Sequence, residues 1–234
     1  MKIGIIQSSY IPWRGYLDFV DEVDLFIFFD DVQYTPRSWR TRNRIKTPQG
    51  TQWITVPVVN TGRDTLIQDI RIDNSRKWIR QHIGSLVASY SQTPYFKRYS
   101  EEFFGLLDSG YTMLSEMNIV LIRWLMQQLD ITTPVIQASE LGATGKKTER
   151  LLQLIEKAGG DSYLSGPTAR GYIDENLFRE AGIRLEYKSY KYPPYPQPWG
   201  PFVGEVTVLD LLFNTGPEAR RYLKSLAPNE IAVP

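Results

Sequence analysis

The sequence predicts one α/β domain with a mostly parallel, Rossmann-like sheet, flanking helices, a β-hairpin insertion and a helical middle section. Apolar runs at 3–6 and 25–29 flank an amphipathic segment that begins near residue 14, which is the pattern of a βαβ unit. Apolar runs and amphipathic segments alternate again after residue 131, and helical periodicity dominates 76–130. These three observations indicate a single domain over residues 1–234.

The insertion is predicted at 50–73. A β-rich segment, 52–59, and an alternating segment, 66–72, flank the turn-forming residues 60–64, which favours a hairpin. Pro57 would place its strand at a sheet edge or a bulge, because proline has no amide hydrogen to donate.

The other elements follow from periodicity and from helix start and stop signals. The predicted helices span about 76–89, 94–107, 113–129, 146–158, 174–181, 206–213 and 217–226. The predicted strands span 134–136, 161–164 and 183–187, and the last residues form a tail. Five prolines within 190–201 predict a stiff, extended loop.

Composition excludes several function classes. The 27 basic and 26 acidic residues give a net charge of +1, so no global basic field is expected to bind nucleic acid non-specifically. The absence of cysteine excludes disulfides, thiolate metal sites and a cysteine nucleophile. No apolar stretch is long enough for a signal peptide or a membrane span. We therefore expect a cytoplasmic protein with no membrane insertion.

Polar clusters follow the first two predicted strands, where ligands of parallel sheets usually bind. The first cluster spans 7–13, and the second contains Asp30, Asp31 and Gln33. A carboxylate at such an edge needs a partner, which could be a cation, a hydroxyl or an amine. The alternative is that the aspartates cap a turn.

A basic run follows at once, in which Arg40, Arg42 and Arg44 alternate and would lie on one side of an extended segment. Guanidinium groups bind phosphate and carboxylate with two parallel hydrogen bonds, so this run is a candidate anion clamp. The alternative is a solvated edge strand, whose charges prevent sheet association.

Three further features carry candidate chemistry. His82, the one histidine, could be a general acid or base, although a lone histidine is commonly a packed or surface residue. Lys147 and Thr148 open a predicted helix, but the first glycine of a Walker A motif is missing, so only a general anion contact is predicted. Tyr163 and Ser165 end a strand and could form, with loop aromatics at 192–199, a wall over a sugar or base.

The chain resembles the WbqC-like protein family through motifs in the same order from residue 2 to about 216. The matching residues are Gln7, Tyr10 to Trp13, Gly15, Tyr16, Asp30, Asp31, Gln33, Ser38, Trp39, Arg42, Asn43, Trp78, His82, Lys147, Thr148, Tyr163 to Gly166, Tyr172, Tyr195, Gln197, Asp210 to Asn214 and Gly216. The resemblance implies association with O-antigen and other surface-polysaccharide biosynthesis, and a proposed glycine transferase activity.

From these features we expect transfer of an acyl group, such as glycyl, to the amine of an amino sugar or related small molecule. Asp30, Asp31 and His82 are the candidate catalytic residues. The candidate binding residues for an anionic or nucleotide-linked substrate are Gln7, Trp13, Tyr16, Gln33, Trp39, Arg42, Asn43, Arg44, Lys147, Thr148, Tyr163, Ser165, Tyr195 and Gln197. No metal-binding residues are predicted.

Two alternatives stay open. The first βαβ unit also resembles the opening of HIGH-type enzymes such as pantothenate synthetase, which activate carboxylates with ATP, but Tyr16 stands where those enzymes have histidine. The first alternative is therefore an ATP-dependent, carboxylate-activating ligase or a nucleotidyltransferase. The acyl donor is either supplied pre-activated or activated here with ATP and Mg²⁺. The other alternative is a non-catalytic protein that binds a nucleotide sugar.

Overall fold

The computed structural model describes residues 1–59, 62 and 64–234. It confirms the α/β class. The main sheet has six strands in the order β5-β2-β1-β6-β7-β8, and all neighbours are parallel except β7 and β8. The strands are β1 Lys2–Ile6, β2 Leu25–Phe28, β5 Val135–Gln137, β6 Ser162–Ser165, β7 Arg184–Tyr187 and β8 Glu230–Val233. A separate antiparallel hairpin consists of β3 Arg42–Thr47 and β4 Gly50–Thr55.

Helices connect the strands and cover both faces of the sheet. They are α1 Arg14–Asp21, α2 Trp78–Tyr90, α3 Phe96–Leu107, α4 Leu114–Gln128, α5 Ala138–Leu141, α6 Lys147–Lys157, α7 Glu175–Ala181 and α8 Val208–Thr215. Alternate strand residues serve two cores, because successive side chains of a strand point to opposite faces. Phe26 and Phe28 belong to the core that includes residues of α1, α4 and α8, whereas Ile27 belongs to the core that includes residues of α6 and α7.

Strand order creates a switch point beside β1. The chain runs from β1 to β2 and β5 on one side, then returns to place β6 and β7 on the other side of β1. The connections that leave β1 and β6 therefore diverge, which opens a crevice outside the carboxyl ends of the strands. This crevice is where the polar segments after β1, β2 and β6 meet.

The hairpin differs from the predicted one. It pairs 42–47 with 50–55, and Gly50 adopts a φ of 117° at its turn. The predicted strands at 52–59 and 66–72 meet only at the bridge between Val58 and Ile72, since a 3₁₀ turn at Ile67–Asp69 interrupts the second. The predicted turn at 60–64 involves Asn60, Thr61 and Arg63, which lie outside the described residues.

Two predictions for the C-terminal region are corrected. The helix predicted at 217–226 is a 3₁₀ helix at Gly216–Tyr222, and Gly216 there lies against the ring of Tyr95 with a φ of 54°. The last residues are not a tail, because β8 pairs antiparallel with β7. Four residues are too few for a clear alternation signal, and the neighbouring strand supplies the hydrogen bonds that fix them. None of the helices described is long and apolar enough to cross a membrane.

Candidate functional site

A cavity of about 1130 Å³ lies at the switch point, outside the carboxyl ends of β1, β2 and β6. Its volume is that of a site for a ligand larger than a simple sugar. Eleven of the residues predicted from sequence line it, namely Gln7, Trp13, Tyr16, Asp31, Gln33, Trp39, Asn43, Arg44, Lys147, Tyr163 and Ser165. Six others do not line it, namely Asp30, Arg42, His82, Thr148, Tyr195 and Gln197.

Asp31 is the carboxylate that β2 delivers to the cavity. Its Oδ2 pairs with Nη2 of Arg150 at 2.5 Å, while Oδ1 is buried and has no hydrogen-bond partner among the described residues. Burial raises the pKa of Asp31, and the nearby Arg150 charge opposes that rise. Arg150 therefore fixes one oxygen of the carboxylate, and the other oxygen is enclosed without a hydrogen-bond partner among the described residues.

Asp30 has a structural position instead. It is 2% exposed, and its Oδ1 accepts the Ser8 amide hydrogen at 2.7 Å while Oδ2 accepts the Ser115 hydroxyl. Its backbone carbonyl accepts the amide of Gln68 at 2.9 Å. These contacts connect the end of β2 to the loop after β1 and to α4. Asp30 therefore stabilises the segments that form the cavity wall without lining the cavity itself.

Arg40 reaches the cavity, although sequence reasoning did not select it as a site residue. Its guanidinium donates to Gln7 Oε1 and, at 2.8 Å, to Ser9 Oγ. Its backbone carbonyl accepts from Asn118 at 2.9 Å. The signal in the sequence was the basic run itself, whose alternation places Arg40 on the same side as Arg42 and Arg44 if the segment is extended. In the structure a turn precedes β3, so Arg40 is not part of the strand.

The cavity has an excess of positive charge. Arg40, Arg44, Lys146, Lys147 and Arg150 line it against the carboxylates Asp31 and Glu205. Arg150 pairs with Asp31, and Arg44 pairs with Glu205 at 2.8 Å. In the part of the chain that the structure describes, Arg40, Lys146 and Lys147 form no ion pair. The amino end of α6, at Lys147, adds the partial positive charge of its amides. The arrangement suits an anionic ligand.

Two non-glycine residues near the cavity adopt left-handed backbone conformations. Ile11, in the loop between β1 and α1, has a φ of 33°, and Lys147 has a φ of 51°. Asn43 stabilises the first loop by donating to the carbonyls of Tyr10 and Ile11 at 3.2 and 2.9 Å. Such conformations cost energy and are concentrated at functional sites.

Aromatic rings form another part of the wall. The Trp13 indole covers Gly15, where an added Cβ would lie 2.3 Å from the ring. Trp13 also packs on Tyr190 of the proline-rich loop, with centroids 5.2 Å apart. Tyr163 lines the cavity on β6, and it stacks on Phe178 at 5.7 Å. The wall therefore combines residues that are distant in sequence.

His82 lies away from the cavity and is 4% exposed. Its Nδ1 is 2.8 Å from the Tyr10 hydroxyl, and its Nε2 is 3.2 Å from the Thr55 carbonyl oxygen. Burial lowers the pKa of His82 to about 4. Both ring nitrogens are engaged, so the ring joins α2 to the hairpin and to the loop after β1.

Tyr195 and Gln197 surround another buried carboxylate. Asp210 accepts the Tyr195 hydroxyl and the Gln197 amide, both at 2.7 Å, and Lys46 donates to Gln197 at 2.8 Å. These contacts fix the proline-rich loop on α8 and β3. Arg42 stacks on Trp53 outside the cavity, at 4.3 Å from the ring centroid, and Thr148 accepts the Asp174 amide at 3.0 Å.

Among the described residues, no group of three or more histidine, aspartate or glutamate side chains is arranged to hold a metal ion. A divalent cation that enters with a phosphate ligand would find Asp31 as a carboxylate on the cavity wall.

Fold and site define an α/β protein with a cation-rich, aromatic-walled cavity at the switch point of a parallel sheet. The chain belongs to the WbqC-like protein family, whose model matches residues 7–222. It is similar to the uncharacterized protein Rv1507c of Mycobacterium tuberculosis, with 43% identity over 226 residues, covering 95% of this chain and 97% of that protein. No solved structure matches the chain.

Proposed function

We propose that this protein is a transferase that places an acyl group, such as glycyl or another aminoacyl group, on the amine of a nucleotide-linked amino sugar or related small molecule. The pathway would be polysaccharide or secondary-metabolite biosynthesis. One observation carries the proposal, which is that Asp31 shares a cavity with three cations, Arg40, Lys146 and Lys147. Within residues 1–59, 62 and 64–234, one oxygen of Asp31 has no hydrogen-bond partner and the three cations form no ion pair. The carboxylate suits an amine, and the cations suit phosphate.

Asp31 is the proposed base. The amine nitrogen attacks the acyl carbonyl carbon, and a carbon–nitrogen bond forms as the bond from that carbon to the donor's leaving group breaks. The proton released by the amine passes to the Asp31 carboxylate. The raised pKa of Asp31 supports this role, because a carboxylate of higher pKa is a stronger base. Arg150 donates to Oδ2 and so fixes the orientation of the carboxylate.

The cations have two proposed roles. Lys146 and Lys147, with the amides that open α6, would bind the phosphates of the substrate. Arg40, which Gln7 and Ser9 orient, would stabilise the negative charge that develops on the acyl oxygen. Orientation of donor and acceptor within one enclosed cavity supplies a further part of the acceleration.

The test compares two carboxylate variants. Purified protein is incubated with nucleoside-diphosphate amino sugars and activated aminoacyl donors, and amide formation is followed by mass spectrometry. Asp31→Asn is expected to lower turnover by about tenfold or more, because it removes the base. Asp21→Asn is the matched control, since Asp21 also pairs with an arginine, Arg220, at 3.1 Å but lies outside the cavity. Unchanged turnover in Asp31→Asn would remove this carboxylate from the mechanism.

A second candidate is ATP-dependent activation of a carboxylate. It is favoured by the position of α1, whose amino end with its partial positive charge begins beside the cavity after Trp13. Exchange of pyrophosphate into ATP, with Mg²⁺ and a panel of amino acids that includes glycine, would support it. Without exchange, the donor must arrive pre-activated, and binding without any donor consumption would indicate a non-catalytic binding protein.

A further inference from the structure

Two tryptophans stand exposed at the mouth of the cavity. Trp39 is 47% exposed and Trp53 on β4 is 43% exposed, and their ring centroids are 5.3 Å apart with 38° between the planes. Large aromatic side chains are usually well buried, because their apolar surface gains most from leaving water. Two exposed indoles in contact therefore suggest a surface that a ligand covers.

The tryptophans are held in place although they are exposed. The Trp39 carbonyl accepts the Tyr10 amide at 2.9 Å, and Trp53 lies opposite Arg44 in the hairpin ladder. The Arg42 guanidinium lies 4.3 Å from the Trp53 ring centroid, and that of Arg44 lies 5.6 Å from it. Cation–π contacts of this kind stabilise the arrangement. A surface that is already ordered loses little conformational entropy when a ring binds to it.

We infer that Trp39, supported by Trp53 and Arg42, is the stacking subsite for the nucleobase of the substrate. This inference rests on the proposed function, because the proposed substrate carries a nucleobase joined to the phosphate that the cavity would bind. Trp39 lines the cavity. Trp53 lies outside the cavity and contacts the Trp39 ring. The next residue, Arg40, is one of the cations that line the cavity. A ring surface beside a cation matches a base that is joined to a phosphate.

The two ends of the site are built on different elements. Asp31 is held by Arg150 of α6, and Trp39 is held by the loop after β1 and by the hairpin. A ligand that touches both must carry a planar ring at one end and an amine at the other, with anionic groups between them. A nucleotide-linked amino sugar has this order of groups, and a cavity of about 1130 Å³ can hold it.

The test is calorimetric binding of five nucleoside monophosphates, AMP, GMP, CMP, UMP and TMP, with ribose 5-phosphate as the ligand that lacks a base. At least one nucleotide should bind about tenfold tighter than ribose 5-phosphate, as expected for one stacked base. Trp39→Leu should abolish that advantage, whereas Trp39→Phe should keep most of it. Trp199→Phe, which alters another exposed tryptophan outside the cavity, should leave it unchanged.

The outcomes separate this inference from the proposed function. Equal affinity for nucleotides and ribose 5-phosphate, with no effect of Trp39→Leu, would overturn the base subsite and leave the anion cavity intact. Base-dependent binding that requires Trp39 but does not change in Lys147→Ala or Lys146→Ala would support the subsite and contradict the phosphate role. Failure of every ligand to bind would overturn both.

Discussion

His82 gives the most quantitative prediction, because its surroundings determine its charge. The ring is buried, accepts a hydrogen bond from the Tyr10 hydroxyl and donates one to the Thr55 carbonyl. Burial lowers its pKa from 6.5 to about 4. The ring is therefore neutral in the folded protein at pH 7. Protonation would place a hydrogen on Nδ1, which now accepts from the Tyr10 hydroxyl, and would bury the positive charge away from water.

The sign and size of the effect on stability follow from that shift. Because the pKa of His82 is lower in the folded protein than in the unfolded chain, the unfolded chain binds the proton more readily. The contribution of neutral His82 to the free energy of unfolding is therefore fully present above pH 6.5 and is lost as the pH falls towards 4. Since one pKa unit corresponds to about 1.4 kcal/mol, the free energy of unfolding should fall by about 2 kcal/mol by pH 5 and about 3 kcal/mol below pH 4.

The assay is urea unfolding between pH 8 and pH 4.5, with His82→Gln as the control. The variant keeps a side chain that can donate to Thr55 but cannot titrate, so subtraction of its pH profile isolates the histidine contribution from that of the carboxylates. Parallel profiles for the two proteins would refute the burial argument. Acyl transfer that fails in His82→Gln, with unfolding stability preserved, would return His82 to the catalytic residues.

Three further predictions concern the supports of the cavity. Asp30→Ala should lower the free energy of unfolding by about 2–4 kcal/mol in urea unfolding, because the Ser8 amide and the Ser115 hydroxyl lose their buried acceptor. Gly15→Ala should lower the free energy of unfolding by about 1–3 kcal/mol and weaken nucleotide binding, because the added methyl group displaces the Trp13 ring. An unchanged near-ultraviolet circular dichroism spectrum would contradict this displacement. Asp210→Ala should cost about 3 kcal/mol and increase proteolysis of the proline-rich loop, whereas Asp210→Asn should cost less.

Sequence reasoning selected many residues that line the cavity because its strongest signals were local. Apolar runs at β1 and β2 end in polar clusters, and parallel strands must bring their carboxyl ends to one edge. Gln7 and Asp31 therefore line the same cavity although 24 positions separate them in the sequence. A strand end also selected Tyr163 and a helix start selected Lys147, and β6 and α6 deliver these residues to the same edge.

The sequence could not distinguish the roles of Asp30 and Asp31. They are adjacent and chemically identical, but β2 ends between the core and the cavity, so one carboxylate is enclosed by Ser8 and Ser115 and the other meets Arg150. The sequence likewise could not show whether Tyr195 and Gln197 contact a substrate or a buried side chain. Their motif predicted substrate contacts, whereas in the structure they surround Asp210.

The sequence by itself determined the α/β class, the βαβ opening and the edge of the sheet where polar groups meet, because periodicity and strand ends are local properties of the chain. The tertiary structure decided which side chains face the cavity and which lie behind it. It turned Arg40 inward, buried His82 against Tyr10 and placed Trp39 on Trp53. These outcomes depend on contacts between segments that are distant in sequence, and local propensity does not predict such contacts.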